Sequence, residues 1–557
     1  MKTLKKLLAL ALVLQMMLFA FAGCSFADKE SVFEAGDFMC RAKKDSTTCE
    51  IIQYSGKDEK LVIPDIIDGH SVTKLAHNAF SNCDFLKSVT IPDSVTDIDK
   101  SAFFGCSSLT ELKVDENNKV YHSDGNCIIN TADKALVIGC STSVIPDDVI
   151  SISDSAFSGC SFASIYIPNN ITTIGANAFS NCTSLTNIDI PNSVTTIGDC
   201  AFAFCSSLTS VDIPDSVSIF GSSIFYCCTA LTSAVVPDKM TAIYSTFCGC
   251  SSLTSVQIPN TVKTIGRDAF SGCTVLASID IPDSVTSIEE SAFAGCASLT
   301  TIKLPDSIAK IDQKAFSNCN ALDELKVEES NKTYRSEGNC IIRISDNALI
   351  IGCKSSVIPD DVTAIDAFAF NDCSGLSSIS IPDTVASIGA FAFSDCSLLT
   401  SITVPNNVTS IGDSAFRACE SLNEIMLSNS LTSIGTGAFT GCSKLNKIII
   451  PDSVTSIGEN AFGGCVSLTD IALPDGITSI GAGMFSSCIS LKSVTIPSSM
   501  TSIAEKAFFG CGSLTEINYT GTLAQWKEID IDDEAFLDID TSITIHCKDG
   551  DKVLDHE

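Results

Sequence analysis

From about residue 60 to residue 518 the chain repeats one arrangement of apolar and polar positions about seventeen times. A typical unit runs Leu276-Ala-Ser-Ile279-Asp-Ile281-Pro282-Asp-Ser-Val285-Thr-Ser-Ile288, followed by Ala292-Phe293-Ala-Gly-Cys296. Leu-x-x-Ile-x-Ile ends in the alternation of a short strand, and Pro282 closes it by withholding an N–H. Val285-Thr-Ser-Ile288, commonly followed by Gly in sister units, reads as a second short extended segment after an Asx-type turn. Ala-Phe-x-x-Cys sets Phe and Cys three apart, as a helical or 3₁₀ turn does, with both pointing inward.

All sixteen prolines fall in that one slot, usually 23 residues apart, and Ser428 stands in it where a 46-residue gap separates Pro405 from Pro451. A unit of this size cannot bury its apolar face alone. Stacked units close a continuous core, so the expected fold is a solenoid. Two 54-residue gaps, Pro92 to Pro146 and Pro305 to Pro359, hold near-copies of one insert, identical at 27 of 40 positions between Glu111–Ile150 and Glu324–Thr363. Each reads as a β-hairpin built into a modified coil, near 115–142 with the polar turn Thr131-Ala-Asp-Lys134, and near 328–355.

The ends differ from the repeat. Residues 33–75 carry a hairpin pattern around the polar turn Lys43–Ser46 and read as an N-terminal β cap, leaving 76–518 as the solenoid. Residues 519–557 read as a C-terminal cap, with the single tryptophan, Trp526, as an apolar lid.

Lys2, Lys5 and Lys6 precede an apolar stretch from Leu7 to Ala22, so residues 1–23 read as a signal peptide. Phe21-Ala22-Gly23-Cys24 resembles a bacterial lipobox, which would make Cys24 a lipid-attachment residue and 24–32 a short tether. Ordinary cleavage after Ala20-Phe21-Ala22 is the alternative.

The repeat, with Leu-x-x-Ile-x-Ile-Pro and Ala-Phe-x-x-Cys, resembles the BspA-like leucine-rich repeats. That resemblance implies a right-handed leucine-rich-repeat coil with short parallel strands and little helix beyond one helical or 3₁₀ turn per repeat. It also implies a surface-exposed or secreted protein, since some members adhere to host matrix proteins or other cells.

A formal charge of −32 disfavours nucleic acid and anionic membrane surfaces, both of which demand clustered cations. Contact with a membrane is expected only through a lipid anchor. Seventeen of the 28 cysteines sit in the Phe-x-x-Cys slot and read as a buried ladder of reduced thiols. Cys40 and Cys49 fall opposite each other about the cap turn and form the candidate disulfide. The five histidines are scattered, with no His-Glu-x-x-His, Cys-x-x-Cys, Walker loop or Gly-x-Ser-x-Gly, so neither a metal nor catalysis is expected. Asp or Asn after most prolines reads as an Asx-turn ladder, with weak calcium binding between stacked carboxylates as the alternative.

A partner would meet the outward strand positions. Most are small or polar, but Met426, Ile449 and Ala472 form an apolar stripe over three neighbouring coils, and Tyr166 adds an exposed aromatic. The expected function is an adhesin-like binding protein contacting protein or glycoprotein (mucin, matrix) on host or neighbouring cells. A structural spacer or envelope component without a specific ligand is the alternative.

Overall fold

The computed structural model describes residues 30–43, 46–539 and 541–554. The signal segment and Cys24 lie outside the described residues. The chain divides into two compact units, Met1–Val149 and Ile150–Glu557.

The first unit opens with the cap. Strands Glu30–Ala35, Phe38–Lys43 and Thr48–Tyr54 run antiparallel, and Thr48–Tyr54 then pairs in parallel with His70–Leu75. The cap therefore takes in residues 30–32, which the sequence pattern assigns to a tether. The pairing of Val32 and Phe33 with Arg41 and Cys40 makes them a strand there. Solenoid winding begins with Lys60–Val62, Ser88–Ile91 and Glu111–Val114, a parallel in-register ladder. Behind it the rings of Phe80 and Phe103 stack at 4.7 Å.

The second unit repeats the coil at length. Its inner edge is a column of phenylalanines: from Phe370 to Phe485, neighbouring rings lie 5.1–5.7 Å apart and 1–7° from parallel. All six of these rings are 0–1% exposed, and truncating one such side chain costs about 3–5 kcal/mol.

The two strands of each coil behave differently. The second, Val-x-x-Ile, forms the more regular ladder, as in Ser387–Ile388, Ser410–Ile411, Ser433–Ile434 and Ser456–Ile457. The following glycine extends it: Gly412 N–H donates to Ile388 C=O at 3.0 Å, and a Cβ on Gly412 would meet Ala390 N at 2.5 Å. A side chain at 412 would therefore collide with the preceding coil, although Glu289 and Ala504 make the same bond in their own coils at 2.9 Å. The first strands pair in short sheets, such as Ser401–Thr403 with Glu424–Met426 and Asp470–Ala472 with Ser493–Ile496, instead of one continuous sheet. All of these but Glu424–Met426, which leads to Ser428, run into a proline, which removes a donor from the ladder.

The turn after proline also departs from expectation. Coil after coil it is closed by the backbone, as in Val217 N–H to Pro214 C=O at 3.1 Å and Val285 to Pro282 at 3.0 Å, not by Asp side chains. The closing bond is an ordinary i to i+3 β-turn bond that needs no Asx side chain, and the coil with Ser428 in the proline slot makes it too, Leu431 N–H to Ser428 C=O at 3.1 Å. The described α-helix is Leu523–Trp526, started by a capping box between Thr522 and Gln525. It carries Trp526, 1% exposed and edge-on to Tyr519 at 5.3 Å, into the end of the core, as a lid residue requires.

Candidate functional site

The outward strand face follows from the two-residue period. Ile425 and Ile448 point inward at 7% and 5% exposure, so Met426 and Ile449 point out, at 55% and 72%. The two line one groove of about 480 Å³ with Asn423, Glu424, Asn446 and Lys447. An apolar floor between an acidic and a basic side chain can take an apolar side chain with a polar rim. Ala472 is exposed on the strand Asp470–Ala472 but does not line this groove. Tyr166, 67% exposed, belongs to a coil well removed in sequence and is not brought to it.

The inserts are built from more than the expected hairpin. In each, a first hairpin precedes it: Tyr121–Asp124 pairs with Cys127–Asn130, and Tyr334–Glu337 with Cys340–Arg343. Gly125 and Asn126 (φ 54° and 55°) turn the first, as a type I′ turn demands. The insert's tyrosine and asparagine side chains are spent on the backbone of the preceding coil. Tyr121 and Tyr334 hydroxyls accept the N–H of Ile98 and Ile311 at 3.2 and 3.3 Å. Asn118 Nδ2 donates to Pro92 and Val95 carbonyls, and Asn331 repeats this on Pro305 and Ile308.

Fourteen thiols of the ladder donate to the carbonyl of the phenylalanine 25 or 26 residues earlier, at 3.0–3.2 Å. Burial pushes Cys205, Cys296 and Cys465 up to about 12, and Cys396 and Cys442 well above the ordinary thiol range. Such thiols are protonated, inert core groups.

Cys40 and Cys49 are buried and stand as free thiols. Cys40 faces Ile51 and not Cys49, because the pairing next to the turn is two residues away from the register that would oppose the cysteines. Arg41 pairs with Glu50, which leaves the two cysteines diagonal neighbours. Burial, then the neighbouring Cys49, pushes Cys40 up to about 12.

One Ser–His–Asp contact was not legible in the sequence, because its members become neighbours only when coils stack. Ser101 Oγ lies 2.6 Å and Asp99 Oδ1 3.3 Å from the same ring nitrogen, His77 Nδ1. A nucleophilic triad needs serine on one ring nitrogen and aspartate on the other. Burial acts upward on Asp99, but hydrogen bonds from Ser101 and His77 outweigh it and hold the carboxyl below its usual range. Among the described residues, no three His, Cys, Asp or Glu side chains are placed to hold a metal, and no helix is long and apolar enough to cross a membrane.

Short parallel strands, a proline-closed turn and one buried phenylalanine per coil define a β-solenoid of the leucine-rich-repeat class. The chain belongs to the family described as BspA type leucine rich repeat region, matched in six copies over residues 60–138, 137–246, 244–340, 348–465 and 421–541. No curated protein matches it. Among solved structures it is similar to a leucine rich cell surface protein from Faecalibacterium prausnitzii A2-165, at 27% identity over 91% of this chain and 99% of that one, with a TM-score of 0.35. A leucine-rich repeat protein from Bacteroides ovatus ATCC 8483 is 22% identical over 94% and 100%, TM-score 0.32. The pneumococcal vaccine antigen PcpA is 17% identical over 92% and 99%, TM-score 0.33. Family membership rests on the repeat match and not on these superpositions.

Proposed function

We propose that this chain is an exported cell-surface or secreted binding protein, adhesin-like, that contacts a protein or glycoprotein on host or neighbouring cells. The observation that carries this reading is the groove around Met426 and Ile449, where a face otherwise dominated by small and polar residues presents two large apolar side chains together. The apolar segment before Cys24 supports export, and a diacylated Cys24 would hold the protein at a membrane with the solenoid outside. Low intrinsic affinity suits a protein displayed densely, because many weak contacts sum to avidity.

A second reading, a spacer without a specific ligand, is favoured by the inserts, whose tyrosine and asparagine groups are engaged by the backbone of the preceding coil. The test is binding of residues 25–557 to an array of matrix proteins, mucins and glycans. Saturable retention by one of them supports the binding reading, and a blank array with folded protein supports the spacer.

A further inference from the structure

Three consecutive coils depart from the repeat at one edge. Where sister coils read like Phe270-Ser-Gly-Cys273, these read Phe202-Ala-Phe204-Cys205, Phe225-Tyr-Cys227-Cys228 and Phe247-Cys248-Gly249-Cys250. Phe204, Cys227 and Gly249 occupy one left-handed backbone slot, at φ 61°, 57° and 75°. The N–H of Cys227 donates to the carbonyl of Cys248 at 2.7 Å. A direct backbone bond of that length sets the two Cα atoms about 5 Å apart, inside the window a disulfide needs. The Cys227 thiol leans over Gly249, where a Cβ would stand 2.7 Å from Sγ, so glycine keeps the space beside Cys248 open.

Both thiols are partly exposed, whereas their ladder neighbours Cys228 and Cys250 are fully buried. The Cys228 thiol points inward and donates to Phe202 C=O at 3.1 Å. Tyr226 packs edge-on against Phe204 at 5.3 Å, and the charges of Cys227 and Cys248 push its phenol up. The edge therefore gathers two accessible thiols on adjacent coils under an aromatic cover.

We propose that Cys227 and Cys248 are a modification site, a dithiol that closes into a reversible disulfide staple between adjacent coils. The oxidant is a low-molecular-weight disulfide. The Cys227 thiolate attacks one of its sulfurs and releases one thiol. The Cys248 thiolate then displaces the second thiol from the mixed disulfide, so one disulfide and two protein thiols become one protein disulfide and two free thiols. Burial, then the Asp268 carboxylate, pushes Cys248 up to about 11, so its thiolate fraction, and with it closure, increases as pH rises toward 8.5.

The experiment treats folded residues 25–557 with oxidised glutathione at pH 8, then quenches, alkylates under denaturant and maps peptides by mass spectrometry. The expected product joins Cys227 to Cys248, lighter by two hydrogen atoms and restored by dithiothreitol, while Cys228 and Cys250 alkylate fully. Cys227→Ser should accumulate a glutathione adduct on Cys248, and Cys248→Ser an adduct on Cys227. Unchanged alkylation of both residues, separate adducts on both without a link, or a link from Cys227 to Cys228 would overturn the proposal.

Discussion

The thiol of Cys465 donates to the carbonyl oxygen of Phe439 at 3.2 Å, and the same oxygen accepts the N–H of Cys442 at 3.1 Å. Both lone pairs of a buried carbonyl are thus used, one within its coil and one by the next. Alanine fills less of the slot and cannot donate. Cys465→Ala should therefore lower stability by about 1–2 kcal/mol, from the lost bond and the small cavity together. Urea unfolding under reducing conditions measures it, and a variant as stable as the parent contradicts the assignment.

The ladder also sets the response to alkali. In the coils from Cys396 to Cys511, burial raises six thiols, three up to about 12 and three well above the ordinary range. Above pH 9 the unfolded chain releases these protons while the folded one keeps them. Stability is fully present below pH 9 and is lost as pH rises toward 12, by about 1.4 kcal/mol per thiol per pH unit, or about 8 kcal/mol for the six. The urea midpoint should be flat from pH 7 to 8.5 and collapse by pH 10. A midpoint unchanged to pH 11 removes the ladder as its cause.

How much of this was legible depends on the range of the interaction. Proline spacing gave the coil, because each Pro ends a strand next to it in sequence. Alternation around Ile425 and Ile448 sent Met426 and Ile449 outward, and the 23-residue period made them neighbours. The first hairpin of each insert turns on Gly125-Asn126 and Gly338-Asn339, shorter type I′ signals than the polar turn Thr131–Lys134 that dominates the residue pattern. The partner of Cys40 was not legible because the residue types around the turn leave the strand register open by two positions. The donor to Tyr121 and the acceptor for Cys465 lie 23 and 26 residues away, so only the stacked coils define them.

The inserts should prove structural at their tyrosines. Tyr334→Phe leaves the buried Ile311 N–H without its acceptor and should cost about 1–3 kcal/mol while leaving partner binding unchanged. Thermal unfolding and a binding isotherm of the same variant separate the two effects. Lost binding without lost stability would make the insert a contact surface.

Calcium should not matter to the fold. The post-proline turns close through backbone bonds, so millimolar calcium should leave the Tm unchanged. A rise of several degrees that a chelator reverses would show the carboxylate column acting as a cation site.

The most direct test of the binding reading is titration of the retained matrix protein or mucin against residues 25–557 and against the Met426→Glu, Ile449→Glu double variant. Both substitutions are on exposed positions, so the fold should survive, as the Phe-column thermal transition will report. Loss of two anchors should weaken binding at least about 30-fold, the equivalent of about 2 kcal/mol. Equal affinity in parent and variant would contradict the groove as the contact and move the site elsewhere on the solenoid.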